Sequence, residues 1–217
     1  MIDITLQADD ISVGWVFAER CAVGPSSETL LTELHTAVEA ARASAESPDT
    51  AERKAAVRDM LRHGVYKPTG RGKPASEYLL KAAVEGRFPV INNLADINNL
   101  VSVTTLLPVS VIDLDLASSD AFTVRWGREN EEYVFNPSGQ VLKLQDLLLA
   151  ARIPDDVPAA SPIKDCQATK THDGTARALG LVYAPLNLKH AALEAAACMA
   201  RCLAEHASAS ARHGILP

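Results

Sequence analysis

The stretch from Ile91 to Asp115, INNLADINNLVSVTTLLPVSVIDLD, limits what this chain can fold into more than any other. It sets four asparagines, three aspartates and a proline inside an otherwise apolar run. Asparagine is depleted in strands and favours caps, turns and specific polar contacts. Asn92-Asn93 and Asn98-Asn99 therefore need hydrogen-bond partners wherever the apolar residues around them are buried, because an unpaired buried amide is costly. The segment is either a satisfied structural corner or the lining of a pocket.

Composition sets the outer limits. The chain has 217 residues, 47% of them apolar and 22% charged, which is globular rather than disordered composition. No apolar run is long enough to span a bilayer. The acidic N-terminus, MIDITLQADD, is unlike a secretory signal, so the expectation is a cytoplasmic protein with no membrane partner. Cys21, Cys166, Cys198 and Cys202 have no CxxC or zinc-ribbon spacing and read as reduced thiols. A net charge of −6 argues against binding that rests on many phosphates, so any nucleic-acid contact must be local.

Periodicity and punctuation predict alternating helices and strands. Ile11 to Ala18 reads as a strand, and Ser26 or Ser27 as the cap of a helix running through LLTELHTAVEAARAS. Further helices are expected over Thr50 to His63, Ala75 to Glu85 (stopped by Gly86), Leu94 to Thr104, and Leu188 to about Ser208. Strands are expected over Val109 to Leu114, Phe122 to Arg125, Glu132 to Phe135, Gln140 to Leu144 and Leu179 to Ala184. Asn136-Pro137-Ser138-Gly139 is a hairpin turn and Ile153 to Pro162 a proline-rich connector. The predicted fold class is α+β, one domain over residues 1–217. Its core covers about 57–186, with a helical extension over 1–56 and a C-terminal helix over 188–209.

Most motif-like patterns fail on spacing. Gly70-Arg71-Gly72-Lys73 would be a phosphate loop only with glycine at Lys67 and Ser or Thr at Pro74. What remains is a loop carrying Lys67, Arg71 and Lys73, candidate contacts for RNA or another phosphate, or simply a solvated loop. His190, Glu194, Cys198, Cys202 and His206 recur every four residues, but each step drifts about 40° around a helix, so the five cannot converge on one ion. No metal and no cofactor is expected. There is no GxSxG elbow, and Cys166 reads as a buried thiol rather than a nucleophile.

Asp96-Ile97-Asn98-Asn99-Leu100-Val101, followed by Pro108 and Asp113-Leu114-Asp115, resembles the bacterial phenylalanyl-tRNA synthetase β-chain. Its B3/B4 domain carries a D-x-T-N-Y-V run and then a Q-P-x-H-A-F-D-x-D run at the same offset. Val124-Arg125, Gly127-Arg128-Glu129 and the turn at Pro137-Ser138-Gly139 are similar to the hairpin region that follows there. Tyr66, Pro74 to Leu80, and Lys164-Asp165-Cys166-Gln167-Ala168-Thr169 look more like free-standing B3/B4-type proteins. The resemblance spans roughly Val57 to Ala184.

It implies an α+β fold with a pocket that, in the synthetase, hydrolyses tyrosine misattached to tRNA. It implies no aminoacylation, since the class II catalytic domain is absent. The editing positions fall on Asn98, Asn99 and Ser110, where the family has Thr, Asn and His. On this reading Asn99, Ser110 and Asp165 are the candidate catalytic residues. Asn92, Asn93, Asn98, Asp113, Lys164 and Thr169 are the candidate substrate contacts. An aminoacyl ester is labile enough that orienting a water beside polar donors accelerates its hydrolysis without a covalent nucleophile. Two functions remain open. One is a free-standing hydrolase acting in trans on a mischarged aminoacyl-tRNA or related aminoacyl ester. The other is a non-catalytic module that binds an amino acid, a tRNA 3′ end or a partner.

Overall fold

The computed structural model describes residues 2–217 and shows an α+β fold. Two four-stranded sheets stack face to face. The larger one, in order β10-β2-β9-β3, comprises Ser210–Leu216 (β10), Ile11–Glu19 (β2), Arg177–Pro185 (β9) and Val109–Asp113 (β3), all antiparallel. The second, in order β1-β4-β7-β8, comprises Asp3–Leu6 (β1), Ala121–Trp126 (β4), Leu148–Arg152 (β7) and Val157–Ala160 (β8). Here β1 pairs parallel with β4 and the other pairs are antiparallel, which makes the sheet mixed. Glu132–Val134 (β5) and Val141–Lys143 (β6) form a separate hairpin.

Pro48–Met60 (α2), Asn93–Thr105 (α4) and Lys189–His206 (α6) lie against the larger sheet, Glu28–Ser44 (α1) and Ala75–Val84 (α3) pack on α4, and Leu114–Ala117 (α5) is a single turn. Their starts follow from capping. Ser27 and Ser47 each accept an N–H in the first turn, Pro48 fits the donor-free first position, and Asn92 accepts from Ala95 N. Gly86, at φ 67°, ends α3 in the left-handed conformation that glycine adopts freely.

Strand β2 shows why the sequence packs this way. It is buried on both faces, so its run ISVGWVFA is nearly continuous in apolar residues. Val16 and Ala18 face the helices with Leu30, Ile97 and Met199, whereas Val13 and Phe17 face the second sheet with Phe122, Leu148 and Leu181. Gly14 lets α6 lie directly on the sheet, since a Cβ there would stand 2.5 Å from the Ala192 carbonyl oxygen. Residues 1–56, expected as a helical extension, thus supply a central strand of the larger sheet.

Four strands differ from expectation, the first being β7 over Leu148–Arg152, a stretch to which the sequence assigned no element. The connector expected over Ile153 to Pro162 contains β8, and both chain termini pair as strands, β1 and β10. Proline is tolerated in β8 because that strand lies at the sheet edge.

Candidate functional site

The two asparagine pairs of α4 have different fates. Asn92 caps the helix. Asn93 is buried; its Oδ1 accepts from Gly24 N at 3.1 Å and its Nδ2 donates to the carbonyls of Ala22 and His206, both at 2.8 Å. That amide ties the start of α4 to the end of α6, so Asn92 and Asn93 form the structural corner rather than substrate contacts. Asp96 completes it, accepting from Ser26 Oγ at 2.6 Å and Ile91 N at 2.9 Å. Asn98 and Asn99 are different. Asn98 Nδ2 donates to Asn99 Oδ1 at 3.4 Å, and Asn98 Oδ1 is shut from solvent with no partner.

Ser110 and Asp165 come together at the open edge of β3. Asp165 Oδ2 accepts from Val111 N at 3.4 Å, covering a backbone donor that no further strand pairs. Burial pushes the Asp165 carboxyl up to about 6, against the stabilising pull of the Ser110 hydroxyl, the Val111 N–H and the Lys170 ammonium. Its Oδ1 is buried with no partner, and so is the hydroxyl of neighbouring Tyr183. Beside them Tyr133 OH donates to the Lys164 carbonyl at 2.5 Å and Ser161 Oγ to the same oxygen at 3.0 Å. Gln167 Oε1 is a further buried acceptor without a partner. Native interiors rarely leave such atoms unpaired, so each calls for a ligand or a water.

Ser110 itself is fully buried and donates to the Ser161 carbonyl at 3.1 Å. Its side chain points to the face opposite Val109 and Val111, which pack with the Leu94, Ile97 and Val101 of α4. Among the described residues no hydrogen bond joins Asn98 or Asn99 to Ser110 or Asp165. The expected trio of Asn99, Ser110 and Asp165 therefore divides. Ser110 donates to the Ser161 carbonyl beside Asp165, Asp165 keeps a buried oxygen without a partner, and Asn99 pairs with Asn98 on the helical side.

The remaining candidates fall around this cluster. Lys164 stacks its ammonium 3.9 Å above the Phe135 ring, and Lys170 Nζ donates to the Phe135 carbonyl at 2.5 Å. Burial, then the nearby Arg71 and Lys170 charges, lower the Lys164 pKa. One expected loop cation, Arg71, thus stands with Lys164 and the unforeseen Lys170 in a basic patch. Tyr66 OH donates to the Gly72 carbonyl at 2.6 Å and Ala75 N to the Pro162 carbonyl at 2.9 Å, which fix the loop against the 161–165 segment. Lys67 is exposed on that loop and Lys73 half-buried. Thr169 is buried and donates to the Ala159 carbonyl at 2.7 Å, bracing β8. Asp113 caps α5 through Asp115 N and Leu116 N and accepts from Thr175 Oγ1, so it too is structural.

Sequence reasoning missed Tyr133, Ser161, Lys170 and Tyr183. Tyr183 was visible only as one aromatic in an apolar strand. A separate groove of about 680 Å³ runs between α1, α2, α4 and α6, lined in part by Leu100, Val103, Arg53 and Cys198. None of the candidate residues named from the sequence lines it. In comparisons with known proteins, the chain matches no family model and no curated sequence.

Proposed function

We propose that this protein is a free-standing B3/B4-type domain that binds the aminoacylated 3′ end of a tRNA at the open edge of β3. The observation that carries the reading is the pair of buried, unpartnered oxygens, Asp165 Oδ1 and Tyr183 OH, beneath a basic patch in a chain of net charge −6. A carboxyl group and a phenol suit the ammonium and carbonyl of an aminoacyl ester. Arg71, Lys164 and Lys170 suit the terminal phosphates, and the Phe135 ring offers a face for a base. The run resemblance around Asn98 and Asp165 supports the same assignment.

Ester hydrolysis in trans is a second reading, favoured by one observation. A carboxyl whose pKa stands at about 6 exchanges a proton near neutrality and can serve as general base to a water. Against it, the buried Ser110 hydroxyl is held by a backbone carbonyl. One experiment separates these readings. The protein is incubated with a panel of correctly and incorrectly aminoacylated tRNAs, and both retention and deacylation are measured. Retention of charged over uncharged tRNA supports the binding reading. Deacylation above background that is lost in Asp165→Asn supports hydrolysis. Neither retention nor deacylation with any tRNA refutes both.

A further inference from the structure

We infer that His206, Glu33 and Glu205 form a binding site for one divalent transition-metal ion of the zinc type, where α6 ends against α1. The three side chains bring one ligand atom each within 4.8 Å of the others. The imidazole is the decisive member. Its side chain is 6% exposed, yet its Nε2 has no hydrogen-bond partner and is aimed at Glu33 Oε1 at 3.6 Å and Glu205 Oε2 at 3.9 Å. Both distances are too long for a hydrogen bond, which a histidine–carboxylate ion pair would close to about 2.8 Å. They are near the spacing that an ion imposes: ligands about 2.1 Å from a tetrahedral centre stand about 3.4 Å apart.

The surroundings fit a metal in other ways. His206 Nδ1 lies 3.2 Å from Ser27 Oγ, which orients the ring; in the tautomer protonated at Nδ1, that contact leaves Nε2 free as the metal-binding nitrogen. The His206 backbone is itself fixed, since its carbonyl accepts from Asn93 Nδ2 at 2.8 Å. His206 closes α6, whose C-terminal carbonyls favour a cation. Arg201 Nη1 holds Glu205 Oε2 at 2.6 Å and Nη2 lies 3.9 Å from Glu33 Oε2. Glu33 thus keeps Oε1 turned to the imidazole, and Arg201 lowers the net charge of the site to one negative before the ion enters. Glu33 and Arg201 also line the groove between α1, α2, α4 and α6, which gives the ion a route in. One nitrogen and two carboxylate oxygens suit zinc, manganese or ferrous iron, with open positions left for water. The set differs from the four-residue ladder of α6 rejected above, because α1 supplies one ligand, Glu33, and Glu205 lies outside the ladder.

The test uses the full chain stripped with chelator and titrated with zinc, and separately with cobalt as a spectroscopic probe. The expected result is one ion per chain with micromolar or tighter affinity. Glu33→Gln and Glu205→Gln should each weaken binding about tenfold or more, His206→Ala should abolish it, and Cys198→Ser/Cys202→Ser should leave it intact. The cobalt spectrum should show no thiolate charge-transfer band. The two glutamate variants change half-exposed surface residues, so they test the site even if His206→Ala does not fold. Binding weaker than millimolar, binding indifferent to both glutamate variants, or binding lost with the cysteines would each overturn the assignment.

Discussion

Replacing Asp165 by Asn should make the protein's stability less dependent on pH, by an amount the site itself sets. In the folded chain, burial raises the Asp165 carboxyl from the ordinary 3.8 to about 6. At 1.36 kcal/mol per pH unit, that rise corresponds to about 3 kcal/mol. The sign follows from which state holds the proton. Below about pH 3 the group is protonated in both folded and unfolded chains and costs nothing. Between about pH 4 and 6 the unfolded chain loses the proton while the folded chain keeps it, so the wild type loses stability as pH rises. Above about pH 6 both are ionised and the penalty is constant. Asp165→Asn has no proton to lose. Urea denaturation of both proteins from pH 3 to pH 8 should show the variant gaining about 3 kcal/mol on the wild type, most of the gain falling between pH 4 and about 6.5. All other titrating groups cancel in the difference. A difference that stays flat with pH would mean that Asp165 is not held in a dry, under-bonded position, and the site reading would fail with it.

Other consequences are as direct. Asn93→Ala strands the Gly24 donor and the Ala22 and His206 carbonyls and should cost roughly 3 kcal/mol in urea denaturation, whereas Asn98→Ala, whose Oδ1 has no partner to lose, should cost under about 1 kcal/mol. Equal losses would contradict the division of the asparagine pairs. Gly14→Ala forces a methyl to within 2.5 Å of the Ala192 carbonyl oxygen and should lower stability by about 1–3 kcal/mol, read as a fall in melting temperature; a neutral result would refute the close seat of α6. The Cys198 thiol is held below its ordinary range by the Cys202 thiol and by Arg201, and it is half-buried, while burial raises Cys21. Alkylation at pH 7 followed by mass spectrometry should mark Cys198 ahead of Cys21, Cys166 and Cys202, and first labelling at any of those three would contradict it.

Helix ends were the most legible part of this chain because their causes are local. Ser27, Ser47-Pro48, Asn92 and Gly86 each act within one turn, and each terminates a helix within a few residues of its expected end. The strands that sequence reasoning missed have no local signature. Asp3–Leu6 is four residues long, Leu148–Arg152 is a leucine–alanine run that suits a helix equally well, Val157–Ala160 contains a proline, and Ser210–Leu216 is half-exposed with a glycine and a histidine in it. They exist because the sheets supply partners, as when β1 finds β4 more than a hundred residues away. The site shows the same limit. Asp165 and Ser110 drew notice through their runs, but their environment comes from Tyr183, Tyr133 and Ser161 on three other segments. Asn93 looked like a pocket residue because sequence shows an amide in apolar surroundings and not the three backbone groups that occupy it.

On the function proposed above, the edge of β3 receives the aminoacylated end of a tRNA. The most direct test of this is the affinity of a fluorescent aminoacylated tRNA acceptor hairpin, measured by anisotropy across a salt series. The wild type is compared with Arg71→Ala, Lys164→Ala and Lys170→Ala, singly and combined. Each single variant should weaken binding and flatten the plot of log affinity against log salt by about one phosphate contact, and the triple variant should remove most of the slope. Wild-type binding with no salt dependence, or a triple variant that binds as the wild type does, would show that the basic patch does not hold the tRNA end.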